Sequence, residues 1–223
     1  MPRQKNKLRA RRIYLAVVLA TAFFCCKENA TGDRASALAS QRQAHYDVNV
    51  LPEIMLQLEE GDIIFRLGTD ITSYLFATLN DKDKRFSHCG IVNFEDNQWY
   101  VYHAIGGELN PDETMRREPL EWFAAPENCK SIGLFATNLS KEERKYMLGI
   151  VKGWYHMKLT FDMQFDLATN DKMYCTEMVA KALIVTKNDF QWLAPTQKAG
   201  AIYYSTENLT LSNTLKQKGY WNY

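Results

Sequence analysis

Cys175 stands in Lys172-Met173-Tyr174-Cys175-Thr176-Glu177-Met178, at the start of a stretch whose apolar spacing predicts a helix over 173–185. A thiol becomes a useful nucleophile when it ionises, and a helix start and a nearby imidazole both favour the thiolate. Two imidazoles are candidates. His88 heads an apolar run in Ser87-His88-Cys89-Gly90-Ile91-Val92, and His103 lies in the next run, Val101-Tyr102-His103-Ala104. The polar stretch Glu95-Asp96-Asn97-Gln98 between them predicts a hairpin. A turn centred between positions 95 and 96 sets His88 opposite His103, with Cβ atoms about 5 Å apart. One ring then takes the thiol proton and the other orients it, the logic of a nucleophile, base and orienter. Tyr174 either donates to an oxyanion or packs, and its residue type leaves both readings open. The amides of the first helical turn are further candidates to hold that oxyanion.

The elements that must position these groups are legible as local patterns. Gly61-Asp62-Ile63-Ile64-Phe65-Arg66 reads as a strand after a turn, 71–79 as a helix, and 131–136 as another strand. Ser140-Lys141-Glu142-Glu143 is a capping-box pattern opening an amphipathic helix to His156. Glu177 and Lys181 are one turn apart, on what the pattern predicts to be the outer face of the 173–185 helix. Strands followed by helices predict an α+β fold, with an antiparallel sheet packed on helices, rather than a parallel βαβ array.

Gly-Asp-Ile-Ile-Phe at 61–65, Ser-His-Cys-Gly-Ile-Val at 87–92, Phe-Asp-Met-Gln-Phe at 161–165 and Tyr-Cys-Thr-Glu-Met-Val at 174–179 resemble the permuted papain-like amidases of the YaeF/YiiX type, within the NlpC-type cysteine peptidase superfamily. The resemblance covers roughly residues 56–200. It implies a permuted papain-like half-barrel that comes first in the chain, with the nucleophile helix later. It implies Cys175 as nucleophile and His88 as base; His103 occupies the place where many such proteins carry Glu. The implied chemistry is attack on an amide or ester carbonyl through a thioester, on a cell-wall peptide or a lipid-like acyl substrate, by a hydrolase or an acyltransferase. It implies no metal and no organic cofactor. Two rivals stand beside it: a zinc-binding module, since two His and a Cys can hold zinc, and a non-catalytic domain that binds peptides or lipids on the same fold.

Composition narrows the classes further. The chain has 223 residues, 46% of them apolar and 13% aromatic, which excludes a disordered chain. Six basic and no acidic groups fall in residues 1–25, so the remainder of this +1 chain is net acidic and unsuited to nucleic acid. After the basic run, residues 13–24 are uncharged, too short for a membrane-spanning helix and suited to the core of a secretory signal. Cys26 follows in a pattern resembling a bacterial lipoprotein signal, loosely matched by Phe23-Phe24-Cys25. The expected organisation is a signal over 1–25, a tether and leading segment over 26–55, and a catalytic domain over 56–223. The expected location is the cell envelope, held to the membrane by a lipid on Cys26. Cys89 is expected to face away from His88 by strand alternation, and Cys89 with Cys129 is the remaining pair that an oxidising compartment could join. Asp62 is expected to cap a turn, and Asp162 with Asp166 to order the loop before the nucleophile helix. His45 and His156 are expected at the surface.

Overall fold

The computed structural model describes residues 50–107, 110 and 112–223; the basic leader, the apolar segment, Cys26 and His45 lie outside them. Helix α1 (Leu51–Met55), strand β1 (Ile63–Gly68) and helix α2 (Ile71–Thr78) lead into the hairpin of β2 (His88–Glu95) and β3 (Gln98–His103). Strand β4 (Arg116–Pro119) runs directly into the single helical turn α3 (Leu120–Phe123), and β5 (Cys129–Thr137) precedes helix α4 (Lys141–His156). Helix α5 (Cys175–Lys187) follows, then a ribbon of β6 (Thr196–Lys198) and β7 (Ala201–Tyr203), helix α6 (Thr206–Thr210) and strand β8 (Leu215–Asn222). Six strands form one sheet in the order β4-β3-β2-β1-β5-β8, with every neighbouring pair antiparallel. The architecture is the expected α+β, an antiparallel sheet against helices. The closing strand β8 has no counterpart in the sequence reading.

Alternation along the strands divides the apolar side chains between two cores. Ile63, Phe65, Cys89, Ile91 and Phe135 face α4 and α5, whose Met147, Val151, Met178, Val179 and Leu183 cover them. Ile64, Val92, Val101, Ile132 and Leu134 face the opposite side, under Ile54 of α1 and Leu120 and Phe123 of α3. Each such fully buried aliphatic or aromatic side chain is worth about 1.5–3 kcal/mol. That burial holds the ends of β2 and β3 in fixed relation to the start of α5.

Helix α4 begins as the capping box predicts: Ser140 Oγ accepts from the Glu143 amide at 3.2 Å, and Glu143 Oε2 accepts from the Ser140 amide at 2.7 Å. Helix α2 forms where its spacing predicts, capped by Asp70 on the Ser73 amide at 2.8 Å. Its apolar side chains are nevertheless largely outside, with Ile71 77% exposed and Leu75 51% exposed. The Glu177–Lys181 pair is a correction: Glu177 lies in the interior, fully buried, and Lys181 reaches in to it at 2.8 Å. Glu177 is the third residue of α5, and its carboxylate folds back to accept the Tyr174 amide at 3.3 Å, which draws it under the helix start.

Candidate functional site

Helix α5 starts at Cys175, two residues later than the spacing predicts, so the sulfur is carried on its first residue and Tyr174 is its N-cap. The amides of a helix's first turn have no intrahelical acceptors, and their partial positive charge favours a thiolate. Cys175 is half-buried and packs against the core that contains Cys89. Its thiol contacts the His88 ring and both the thiol and the backbone of Cys89. The Cys89 contact, together with His88, holds the Cys175 thiol well below the usual range, against the opposing push of burial.

The hairpin that carries the two histidines turns on two residues, Asp96 and Asn97, at φ 52° and 61°. Positive φ at both central positions is the tight hairpin turn that matches the twist of its strands. The resulting register pairs Glu95 with Gln98 and Ile91 with Tyr102, shifted by two from the expected one. His88 and His103 are therefore diagonal rather than directly opposed. Diagonal neighbours on one face remain within reach of large side chains, and the rings meet with His88 Nε2 2.8 Å from His103 Nδ1. Gly90 makes this approach possible, because a Cβ there would stand 3.0 Å from the His103 Cβ and 2.5 Å from Val101 Cγ1.

Three further residues complete the surroundings. Glu118, on β4, brings Oε2 to 3.1 Å from His103 Nε2, at an angle too bent for a well-formed hydrogen bond. Phe123 sets its ring 5.8 Å from that of His88 and 5.3 Å from that of His103. Arg66, paired with His88 across β1 and β2, donates to the Phe123 carbonyl at 3.0 Å and lies over the Phe123 ring. Burial pushes the His103 imidazolium down to about 4, with Glu118 opposing and the His88 and Arg66 charges reinforcing. Burial works to raise the Glu118 carboxyl, but the His103 ring and the Arg66 charge outweigh it and hold it below its ordinary value.

These contacts select the tautomers. Neutral His103 facing an ionised Glu118 carries its proton on Nε2, leaving Nδ1 to accept. His88 then donates from Nε2, and its Nδ1 is the nitrogen left bare for the thiol. The four groups form a chain from Cys175 through His88 and His103 to Glu118.

The remaining candidates are placed as follows. The Tyr174 hydroxyl accepts from the Tyr204 amide at 2.7 Å, and its ring lies 4.7 Å from that of Phe165, so the side chain is engaged in joining two segments. Asp62 is fully buried, accepting from the Glu59 amide at 3.0 Å and from Lys218 at 2.8 Å. Asp162 accepts the amides of Gln164 and Asp166 at 2.8 and 2.6 Å, ordering the loop before α5. His156 is exposed at the end of α4. Cys89 and Cys129, the pair that the sequence left open, are not joined. Both thiols are free and belong to opposite cores, with Cys129 Sγ directed to the Ala125 carbonyl at 3.4 Å. Sequence reasoning missed Glu118, Arg66 and Phe123. A strand reading of Arg116-Arg117-Glu118-Pro119 beside the second histidine strand was the signal that could have found the first.

Residues 57–223 match the model of a family described as permuted papain-like amidase enzymes, YaeF/YiiX, C92 family. Among solved structures, the chain is similar to one described as the metalloprotein yiiX from Escherichia coli O157:H7, at 19% identity and a TM-score of 0.56, over 73% of this chain and 97% of that one. No curated protein matches the chain. The histidine pair does not fit a shared metal. Two imidazole nitrogens on one tetrahedral zinc, each at about 2.0–2.1 Å, stand roughly 3.3 Å apart. The separation of 2.8 Å here is that of a shared proton. Among the described residues no group of three or more His, Cys, Asp or Glu side chains converges as a metal shell.

Proposed function

Because the chain belongs to the YaeF/YiiX family of permuted papain-like amidases, we propose that it is a cysteine-dependent hydrolase of amide or ester bonds, with Cys175 as nucleophile, His88 as general base and acid, and His103 as its orienter. The observation that carries this reading is the Cys175 sulfur at a helix start in contact with an imidazole whose far nitrogen is held by a second, neutral imidazole. The Cys175 thiolate attacks the carbonyl carbon and forms a C–S bond. First-turn amides of α5 receive the oxyanion. The leaving amine or alcohol departs with a proton from the His88 imidazolium. Water then gives a proton to His88 Nδ1 and attacks the thioester, releasing the acid and restoring the thiol–imidazole pair. The Glu118 charge, 3.1 Å from His103 Nε2, favours the tautomer with the proton on that nitrogen.

The substrate class that suits this reading is a peptide or a lipid-like acyl compound, encountered in the cell envelope by a protein held through a lipid on Cys26. The exported position rests on the leader's basic run, its apolar core and the cysteine that follows. Whether the acyl group passes to water or to another acceptor is decided by what reaches the thioester. The test uses p-nitrophenyl acetate as a generic acyl donor. The expected result is a burst of p-nitrophenol with an acetyl adduct mapped by mass spectrometry to Cys175, and loss of the burst in Cys175→Ala. A Cys175→Ala protein that turns over the ester at the wild-type rate would overturn the assignment.

A further inference from the structure

In the route above Cys89 supports the Cys175 thiolate but makes and breaks no bond. It follows His88 directly, so strand alternation sends its side chain to the other face of β2, toward α5. There it is fully buried, in the core against which Cys175 packs. The two thiols touch, and neither is engaged in a disulfide. Their environments differ: Cys175 is half-buried at a helix start, and Cys89 is sealed. Burial, with the neighbouring Cys175 sulfur, pushes the Cys89 thiol well above the ordinary range, so this member of the pair keeps its proton.

An accessible thiolate beside a second, protonated thiol is the arrangement in which oxidation stops at a disulfide instead of running on to sulfinic acid. We propose that Cys89 and Cys175 form a reversible disulfide when the protein meets a hydroperoxide, a modification that withdraws Cys175 from acyl chemistry and protects it from irreversible oxidation. In the first step the Cys175 thiolate attacks the O–O bond, its sulfur is oxidised to the sulfenic acid, and the peroxide is reduced, leaving as hydroxide that takes up a proton. In the second step the Cys89 sulfur attacks the sulfenic sulfur and loses its proton. The S–S bond forms and the hydroxyl leaves with that proton as water. A dithiol reductant restores both thiols by exchange. Cys129 is no competitor, because it lies in the other core, across the sheet.

This inference uses the same sulfur as the proposed nucleophile but not its catalytic role, so the two are separable. Purified protein is treated with hydrogen peroxide, alkylated, digested without reduction and analysed by mass spectrometry, with p-nitrophenyl acetate turnover followed in parallel. The expected product is a cross-linked peptide pair carrying residues 89 and 175, with turnover lost and then regained after dithiothreitol. In Cys89→Ala the same dose should give Cys175 sulfinic and sulfonic acids and no recovery; Cys89→Ser, closer in size, serves if the alanine variant does not fold. Cys129→Ala should retain the cross-link. Over-oxidised Cys175 without a cross-link in the wild-type protein would overturn the inference. That result, with Cys175→Ala inactive, leaves the nucleophile assignment standing, and a cross-link in a protein whose Cys175→Ala variant is fully active would sink only the latter.

Discussion

His103 makes a quantitative demand on stability. Its ring is fully buried, and burial brings it down to about 4 from an ordinary 6.5. Between those two values the unfolded chain binds a proton that the folded one refuses. Stability is therefore undiminished above about pH 6.5 and falls as the pH drops toward 4, the sign expected for a histidine buried neutral. Integrating the linkage from pH 7 to pH 5 gives a loss of about 2 kcal/mol from this one group. Replacing it by a residue that cannot titrate removes that loss. His103→Asn keeps a polar atom near the position of Nδ1 for His88 and has no proton to gain. Urea unfolding at pH 7 and pH 5, followed through the five tryptophans, measures both proteins. The wild type should lose about 2 kcal/mol more than His103→Asn over that interval. Groups away from His103 titrate alike in both proteins and cancel; Glu118, which His103 holds below its ordinary value, titrates mainly below the pH interval compared. An identical loss in the two proteins would refute the reasoning, since it would mean that His103 takes its proton as readily inside as outside.

Two more outcomes follow from the same geometry. Glu118→Gln removes the charge that favours the proton on His103 Nε2 and should lower kcat/KM, by up to roughly tenfold if the charge is worth about 1.4 kcal/mol at the transition state. The melting temperature should hardly move, because the Glu118 side chain is one-quarter exposed; an unchanged pH–rate profile and rate would contradict the orienting chain. Gly90→Ala puts a Cβ at 2.5 Å from Val101 Cγ1, 2.8 Å from the Tyr102 carbonyl and 3.0 Å from the His103 Cβ. Overpacking of this kind costs typically 1–3 kcal/mol, and displacement of His103 should lower ester turnover beyond what the unfolded fraction explains, as seen by comparing activity with circular dichroism at the same temperature.

What could be seen in the sequence was what is decided locally. The capping box of α4, the strand character of β1, β2 and β3, and Cys175 at a helix start each depend on a few neighbouring residues. The hairpin register depended on the turn. Centring the turn between positions 95 and 96 placed His88 opposite His103, whereas the turn is made by Asp96 and Asn97 and is centred between those two, which shifts the pairing by two. The histidines still meet because an even shift preserves the face on which each side chain stands. Glu118, Arg66 and Phe123 were beyond reach for another reason. Arg66 and Glu118 are brought to the histidines by pairing between strands and Phe123 by the helical turn after β4, and a strand as short as Arg116–Pro119 carries almost no periodic signal. The burial of Glu177 was misread because its attachment to the Tyr174 amide, rather than its helical position, decides where the carboxylate goes.

A second histidine beside His88, in place of a carboxylate, changes the electrostatic problem at the thiol. A carboxylate directly on His88 would steady an imidazolium by its full charge. Here the first neighbour is a neutral ring and the carboxylate stands one residue farther out, at 3.1 Å from the far side of that ring. Arg66, facing the same pair, adds a positive charge that opposes a protonated His103. The histidine chain is thus better at fixing which nitrogen faces the sulfur than at holding positive charge there. Beside His88, the thiolate draws support from the Cys89 thiol and backbone, from the first-turn amides of α5 and from the charge on Arg66. A site arranged in this way favours the Cys175 thiolate without a buried carboxylate beside His88. Part of that support comes from a second sulfur, the one residue in the set that can also bond to it.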